Sequence, residues 1–297
     1  MTVNGKNEST APPAGKKEQK KAVEELSEED QRLKADIEYL VEKVVSGEDL
    51  EYKKRYLRQL FDKIRTSPVS RASVPKELRF LSPLYVQLVA YFNGLAHDAF
   101  RPYLADFLSY TSITLSKEYN RDSLGYFRQG TGTLDLATIG SEYLLNLAGD
   151  IAGEHELLTA ANADTGALTA LAQQVVGHLF AQGYEINAVD LLIEIERLDL
   201  LDAHVDKENY ARISAYLMSY LEYCADAVEF DAVLGKVYAL ASGQGDASTA
   251  LVAALRMHSR PRVIEALGLA RDAATPSRAY AAAEELVVTA EAEIGRA

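Results

Sequence analysis

Ser73-Val-Pro-Lys-Glu-Leu-Arg-Phe-Leu-Ser-Pro-Leu-Tyr85 is the stretch on which the reading of the fold turns. Two prolines, Pro75 and Pro83, interrupt a run of amphipathic segments. Each lacks a backbone donor and fixes its own φ, which predicts the first turn of a helix or a turn at both positions. Between them Leu78, Phe80 and Leu81 form an apolar knot that must be buried against neighbours. Such a phrase predicts a packing corner in a helical stack.

Helical grammar extends in both directions. Upstream, Ser27-Glu-Glu-Asp30 reads as a capping box with Asp in the usual Glu or Gln position. Leu33, Ile37, Leu40, Val41 and Val44 follow at helical spacing, and Ser46-Gly47 ends that helix. The next carries Tyr52, Tyr56, Leu57, Leu60, Phe61 and Ile64 on one face, with Lys53, Lys54, Arg55 and Arg58 mostly outside. Thr66-Ser67-Pro68 stops it. Downstream, Leu84, Leu88, Tyr91 and Phe92 form one stripe, and Tyr103, Phe107, Tyr110 and Leu115 another. Residues 118–132 read as a loop. Thr133 is placed to cap a helix with Leu136, Ile139, Tyr143 and Leu147 on its apolar face, and Ala167–Phe180 is the next apolar segment. Four further stripes follow: Ala188 to Leu198, Tyr210 to Cys224, Phe230 to Leu240, and Leu251 to His258. No period-2 strand is visible. The pattern predicts an all-α array of about a dozen helices in antiparallel pairs, an α-solenoid of the right-handed helical-pair type, with no strict repeat length.

Composition sets the outer bounds. The chain has 297 residues, 48% hydrophobic, enough for one large or two ordinary domains. Its single cysteine, Cys224, excludes an internal disulfide framework and fits a reducing compartment. No long apolar run predicts a membrane span, and the N-terminus has no secretory h-region. Net charge is −13, and residues 1–26, with five Lys against four Glu, are the slightly basic part. An acidic body repels phosphate backbones, so nucleic-acid binding is not expected. The polar residues 1–26, with Lys16, Lys17, Lys20 and Lys21, read as a disordered, solvated tail, with a nuclear address as the other reading. Residues 27–270 read as the helical domain, and 271–297 as a divergent Ala-rich acidic helix whose Ser277–Ile294 portion is a candidate cap for the solenoid end.

The residues that could carry chemistry do not assemble a motif. His155-Glu156-Leu-Leu-Thr159 lacks the second His that a zincin helix needs one turn later. His97, His178, His204 and His258 have no ligand at metal-site spacing. His178 and His258 lie in apolar segments and read as core or rim residues. Arg128-Gln-Gly-Thr-Gly-Thr133 is glycine-rich without the Gly-Lys-Ser/Thr ending of a P-loop. Asp190, Glu194, Glu196, Asp199 and Asp202 lack Glu-x-x-His pairs on facing helices and read as a solvated acidic face, able to meet a basic partner. Cys224 shares a stripe with Leu217 and Leu221 and reads as a buried small apolar residue. Most of the 17 tyrosines fall on helix stripes, with the hydroxyl expected at the edge. No catalytic, cofactor or metal residue is assigned.

The opening stretch resembles the "SVPK-L-FL-P-Y" corner in the family of the largest non-ATPase subunits in the base of the 26S proteasome regulatory particle, which carry proteasome/cyclosome repeats. Three further stretches resemble that family in order. These are Glu24–Asp30; Gly140–Glu154, with Glu142-Tyr143 and Asn146-Leu-Ala-Gly-Asp-Ile151, similar to its "WGHEYVRHLAGE" helix; and Asn187–Glu196 continuing through Asp206–Ala211 and Tyr216–Ser219. Ile139 and Ser141 stand where that helix has Trp and His. The resemblance spans about residues 24–267 and fades beyond. It implies an N-terminal helical region without the family's repeats: a fragment, a truncated gene model or a partial duplicate. It further implies a non-catalytic scaffold or regulator in ubiquitin-dependent degradation, in cytoplasm and nucleus. The implied partners are the base ATPase subunits and other regulatory-particle subunits, without ubiquitin binding by this chain alone. The other readings are a generic α-solenoid adaptor for a helical or extended peptide, and an enzyme whose site is assembled from distant residues.

Overall fold

The computed structural model describes residues 26–65, 74–116 and 121–272. These form twelve α-helices and two 3-10 segments, with no strand among them. In chain order the helices are α1 Glu28–Ser46, α2 Leu50–Arg65, α3 Lys76–Gly94, α4 Arg101–Leu115, α5 Asp122–Phe127 and α6 Ser141–Ala160. There follow α7 Gly166–Ala181, α8 Glu185–Glu194, the 3-10 segment Leu198–Ala203, α9 Tyr210–Tyr220, and the 3-10 turn Leu221–Tyr223. The array closes with α10 Ala227–Gln244, α11 Ala247–Arg256 and α12 Arg260–Asp272. Contacts run between elements close in sequence, the pattern of an α-solenoid. No helix among the described residues is long and apolar enough to cross a membrane.

Capping and periodicity explain the individual helices. Ser27 Oγ accepts from the Asp30 amide at 3.1 Å, and three acids occupy the first turn of α1, where the helix dipole favours them. Ile37, Leu40, Val41 and Val44 are all buried. At the start of α10, Asp226 accepts from the amides of Val228 and Glu229. At its end Gly245 sits at φ +73°, a left-handed cap that a side chain would strain.

The buried side chains form two clusters. One runs from Ile37 to Leu108 and joins α1 to α4. The other runs from Leu124 to Ala266 and joins α5 to α12. Tyr110, on α4, packs against both. Its ring stacks on Tyr143 of α6 at 6.0 Å and meets Phe61 of α2 edge-on at 5.2 Å. Helix α4 is therefore the seam: Phe107 and Leu108 face the first cluster, and buried Ser109 reaches α5 and α6.

Four local expectations change. Pro75 does precede a helix, at the N-cap of α3, but Pro83 lies inside α3 rather than at a helix start. It is exposed, so the Arg79 carbonyl left without its usual donor is on the water side of the helix. The knot itself holds: Leu78 and Leu81 are buried and Phe80 half-buried. The region 118–132, read as a loop, contains α5. Thr133 caps no helix. Its amide donates to Thr131 Oγ1 at 3.1 Å, and α6 begins only after Gly140, so Leu136 and Ile139 are buried from the turn before the helix. The expected tail, the Thr66-Ser67-Pro68 stop and the C-terminal cap lie outside the described residues.

Candidate interaction surfaces

Helix α6 shows what the polar residues of this protein are built to do. Asn146, Asp150 and Glu154 are spaced by four and share one face. Asn146 Oδ1 and Asp150 Oδ2 lie 3.1 and 2.6 Å from Ser123 Oγ, and Asp150 also accepts from the Leu124 amide at 3.2 Å. Glu154 pairs with Arg121 and Arg128, each at 3.2 Å. The two arginines flank α5, so this stripe clamps both ends of that short helix. Ser109 Oγ extends the network, donating to the Ser123 carbonyl at 2.7 Å and lying 2.7 Å from the Tyr143 hydroxyl. Burial pushes the Tyr143 phenol upward, so it stays protonated.

The glycine-rich loop is also internal architecture. The Thr131 amide and hydroxyl both donate to Asp106, the hydroxyl at 2.6 Å. The donors that a phosphate would need are engaged by this chain's own carboxylate. A Cβ on Gly130 would fall 2.0 Å from Asp106 Oδ1. Gly130→Ala is expected to displace that carboxylate and cost about 1–2 kcal/mol, read as a lower urea midpoint.

The remaining candidates are scattered. His155 is buried, 3.5 Å from the Thr159 hydroxyl. His97 is exposed and His178 half-buried on α7. His258, expected in the core or at its rim, is exposed in the turn after α11 at φ +50°. Cys224, expected to be buried, is half-buried after the 3-10 turn. Burial and the nearby Glu229 raise its thiol, which opposes thiolate formation. No group of three or more His, Cys, Asp or Glu side chains among the described residues is placed to hold a metal. Part of the acidic face is paired: Asp199 meets Arg197 at 2.7 Å and Asp202 meets Lys236 at 2.9 Å, while Asp190 accepts from the neutral Tyr216 hydroxyl. Glu194 and Glu196 remain exposed, and partial desolvation together with Asp190 and Glu156 raises the Glu194 carboxyl.

His204 stacks on Phe180 at 4.9 Å, and burial lowers its imidazole below the ordinary range. As pH falls the unfolded chain therefore takes up the proton first. The stabilising contribution is complete above about pH 6.5 and is lost as pH falls through the lower folded value. Between about pH 7.5 and pH 5.5 the urea midpoint of His204→Phe should decline less than that of the unaltered protein.

The exposed surface carries clustered cationic and aromatic side chains. Helix α2 carries six basic side chains against two acidic ones, within a chain of net charge −13. Lys54 lies 4.4 Å from the Tyr103 ring centroid and Lys43 5.2 Å from that of Tyr39. Tyr56 is bracketed by Tyr39 and Tyr52, both substantially exposed. In the sequence Tyr52 and Tyr56 read as part of an apolar helix stripe, with Lys54 outside it. That their rings remain outside depends on how α1, α2 and α4 pack.

The fold defines an all-α helical-array protein. The family profile described as the RPN1 N-terminal domain matches residues 37–292, past Leu267 where the legible resemblance fades. The chain belongs to the RPN1 N-terminal domain family. It is 40% identical over 196 residues to the 26S proteasome non-ATPase regulatory subunit 2 homolog A of Arabidopsis thaliana, covering 66% of this chain and 22% of that protein. It is 35% identical over 218 residues to the 26S proteasome regulatory subunit rpn-1 of Neurospora crassa, covering 73% and 24%. It is 32% identical over 253 residues to the regulatory subunit rpn1 of Schizosaccharomyces pombe, covering 84% and 28%. The matched regions thus make up between about a fifth and just over a quarter of these relatives.

Proposed function

We propose that this chain is a non-catalytic scaffold and regulatory element of the 26S proteasome regulatory particle. In this role it supports ubiquitin-dependent protein degradation by docking helix-on-helix against other base components. The observation that carries the reading is the match of the RPN1 N-terminal domain over residues 37–292, on relatives named as regulatory, non-ATPase subunits. The partners we propose are the base ATPase subunits and their neighbours, and the compartments are cytoplasm and nucleus. The lysine–tyrosine face of α1 and α2 supports the reading, since aromatic and cationic side chains held together at a surface are good interface material. We assign no covalent chemistry to this chain: the carboxylates of Asp150 and Asp106 are held by Ser123 and Thr131 across helix junctions.

The test is a tagged pull-down of the 297-residue chain from its own cells, with mass spectrometry quantifying the proteasome ATPases. Strong enrichment is expected. Absence of enrichment from a folded, soluble chain overturns docking by this region alone and favours the generic solenoid adaptor.

A further inference from the structure

Between the end of α8 and the start of α10 lies a groove of about 490 Å³. Its floor is apolar, with Ile193 and Val233 buried beneath half-buried Leu198. The apolar surface does not stop at the floor. Val228, on the α10 side, is 78% exposed, and Tyr223, in the turn leading to α10, is 77% exposed. These are the two most exposed large hydrophobic side chains among the described residues. Four carboxylates, of Glu194, Glu196, Asp226 and Glu229, line the groove, and no cationic side chain does. Nearby cations are engaged elsewhere: Arg197 with Asp199 at 2.7 Å and Lys236 with Asp202 at 2.9 Å.

We propose that this groove docks a basic amphipathic helix of a partner protein, its apolar face on Ile193, Leu198 and Val228 and its lysines or arginines against the carboxylate rim. Charge selects the occupant. An acidic segment would meet like charges with no counter-ion, whereas a basic one neutralises the rim. The fold selects the helical form. Addition of a strand needs a free sheet edge, and the described residues include no strand. A helix instead offers anchors at i, i+3 and i+4 to a short apolar trough. The inference rests on the geometry of α8 to α10, independently of proteasome membership.

The test uses the 297-residue chain and fluorescence anisotropy. The probe is a fluorescein-labelled peptide with leucine at heptad a and d positions and lysine elsewhere. Its two controls carry glutamate in place of lysine, or serine in place of leucine. The lysine–leucine peptide is expected to bind, both controls to fail, and added salt to weaken binding. Val228→Lys and Glu194→Lys, both at exposed positions, should each weaken binding about tenfold with thermal melting unchanged. Glu42→Lys on α1, which changes net charge equally, should leave it unaltered. Three results would each overturn the proposal: equal binding of the serine control, indifference to both groove substitutions, or tighter binding after removal of residues 1–25. The last would make the chain's own lysine-rich stretch the occupant.

Discussion

Phe107→Ala is expected to lower the stability of the fold by about 3–5 kcal/mol. Its ring is fully buried at the centre of the first cluster and meets Phe61 of α2 edge-on at 5.7 Å. Truncation removes both the transfer free energy of the ring and its contacts, and the helices around it relax only partly into the space. Against a typical total of about 5–15 kcal/mol, that is a large share. Urea titration reads the loss. A second consequence distinguishes the two clusters. Because only α4 and its neighbours tie them together, the first should open at lower urea than the second, giving a fluorescence transition broader than that of the unaltered protein. A single steep transition with an unchanged midpoint would contradict the assignment of Phe107 to the core.

Asp150→Ala carries the second-largest expected effect, about 2–3 kcal/mol. The side chain is 1% exposed and accepts from both the Ser123 hydroxyl and the Leu124 amide. Ser123 retains Asn146 after the substitution, but the buried amide of Leu124 loses its carboxylate partner. Asp150→Asn keeps an acceptor oxygen and should cost only about 1 kcal/mol. Amide exchange localises the effect: Leu124 should exchange faster in the alanine variant, while the amides of α1 remain protected. Equal losses in the two variants would mean that packing, rather than the acceptor, matters at this position.

These two sites also show what a reader of the sequence can and cannot see. Helices whose apolar residues repeat over several turns were legible, as in Ile37-Leu40-Val41-Val44 and Ala188-Leu191-Leu192, all of them buried. Local periodicity carries that signal, and burial follows from it. Helix α5 escaped because its ends are held in trans. Arg121 at its N-cap has no capping side chain, and the groups that hold it, Asp150 and Glu154, arrive from α6. Asn146, Asp150 and Glu154 stand four residues apart, but the spacing alone does not name the helix they hold. Pro83 misled for a related reason. Proline opposes helix in general, yet on an exposed face the released carbonyl can be hydrated and the helix continues. The candidate surfaces were legible as residue types only. The tyrosines of α2 read as part of its apolar stripe, its lysines as lying mostly outside, and the carboxylates around α8 as an acidic face, but which rings stay outside and which acids lack a counter-ion depend on helix packing.

The segregation of buried side chains along the chain has a consequence for biosynthesis. Every residue of the first cluster, from Ile37 to Leu108, precedes every residue of the second in sequence. A ribosome therefore delivers the whole of α1 to α4 before α6 exists, and the contacts of α1 with α2 and α3, and of α4 with α2 and α3, all lie within that set. The first cluster can consolidate while translation is still under way, and its finished surface, with Tyr110 at the edge, then serves as the template on which α5 and α6 settle as they emerge.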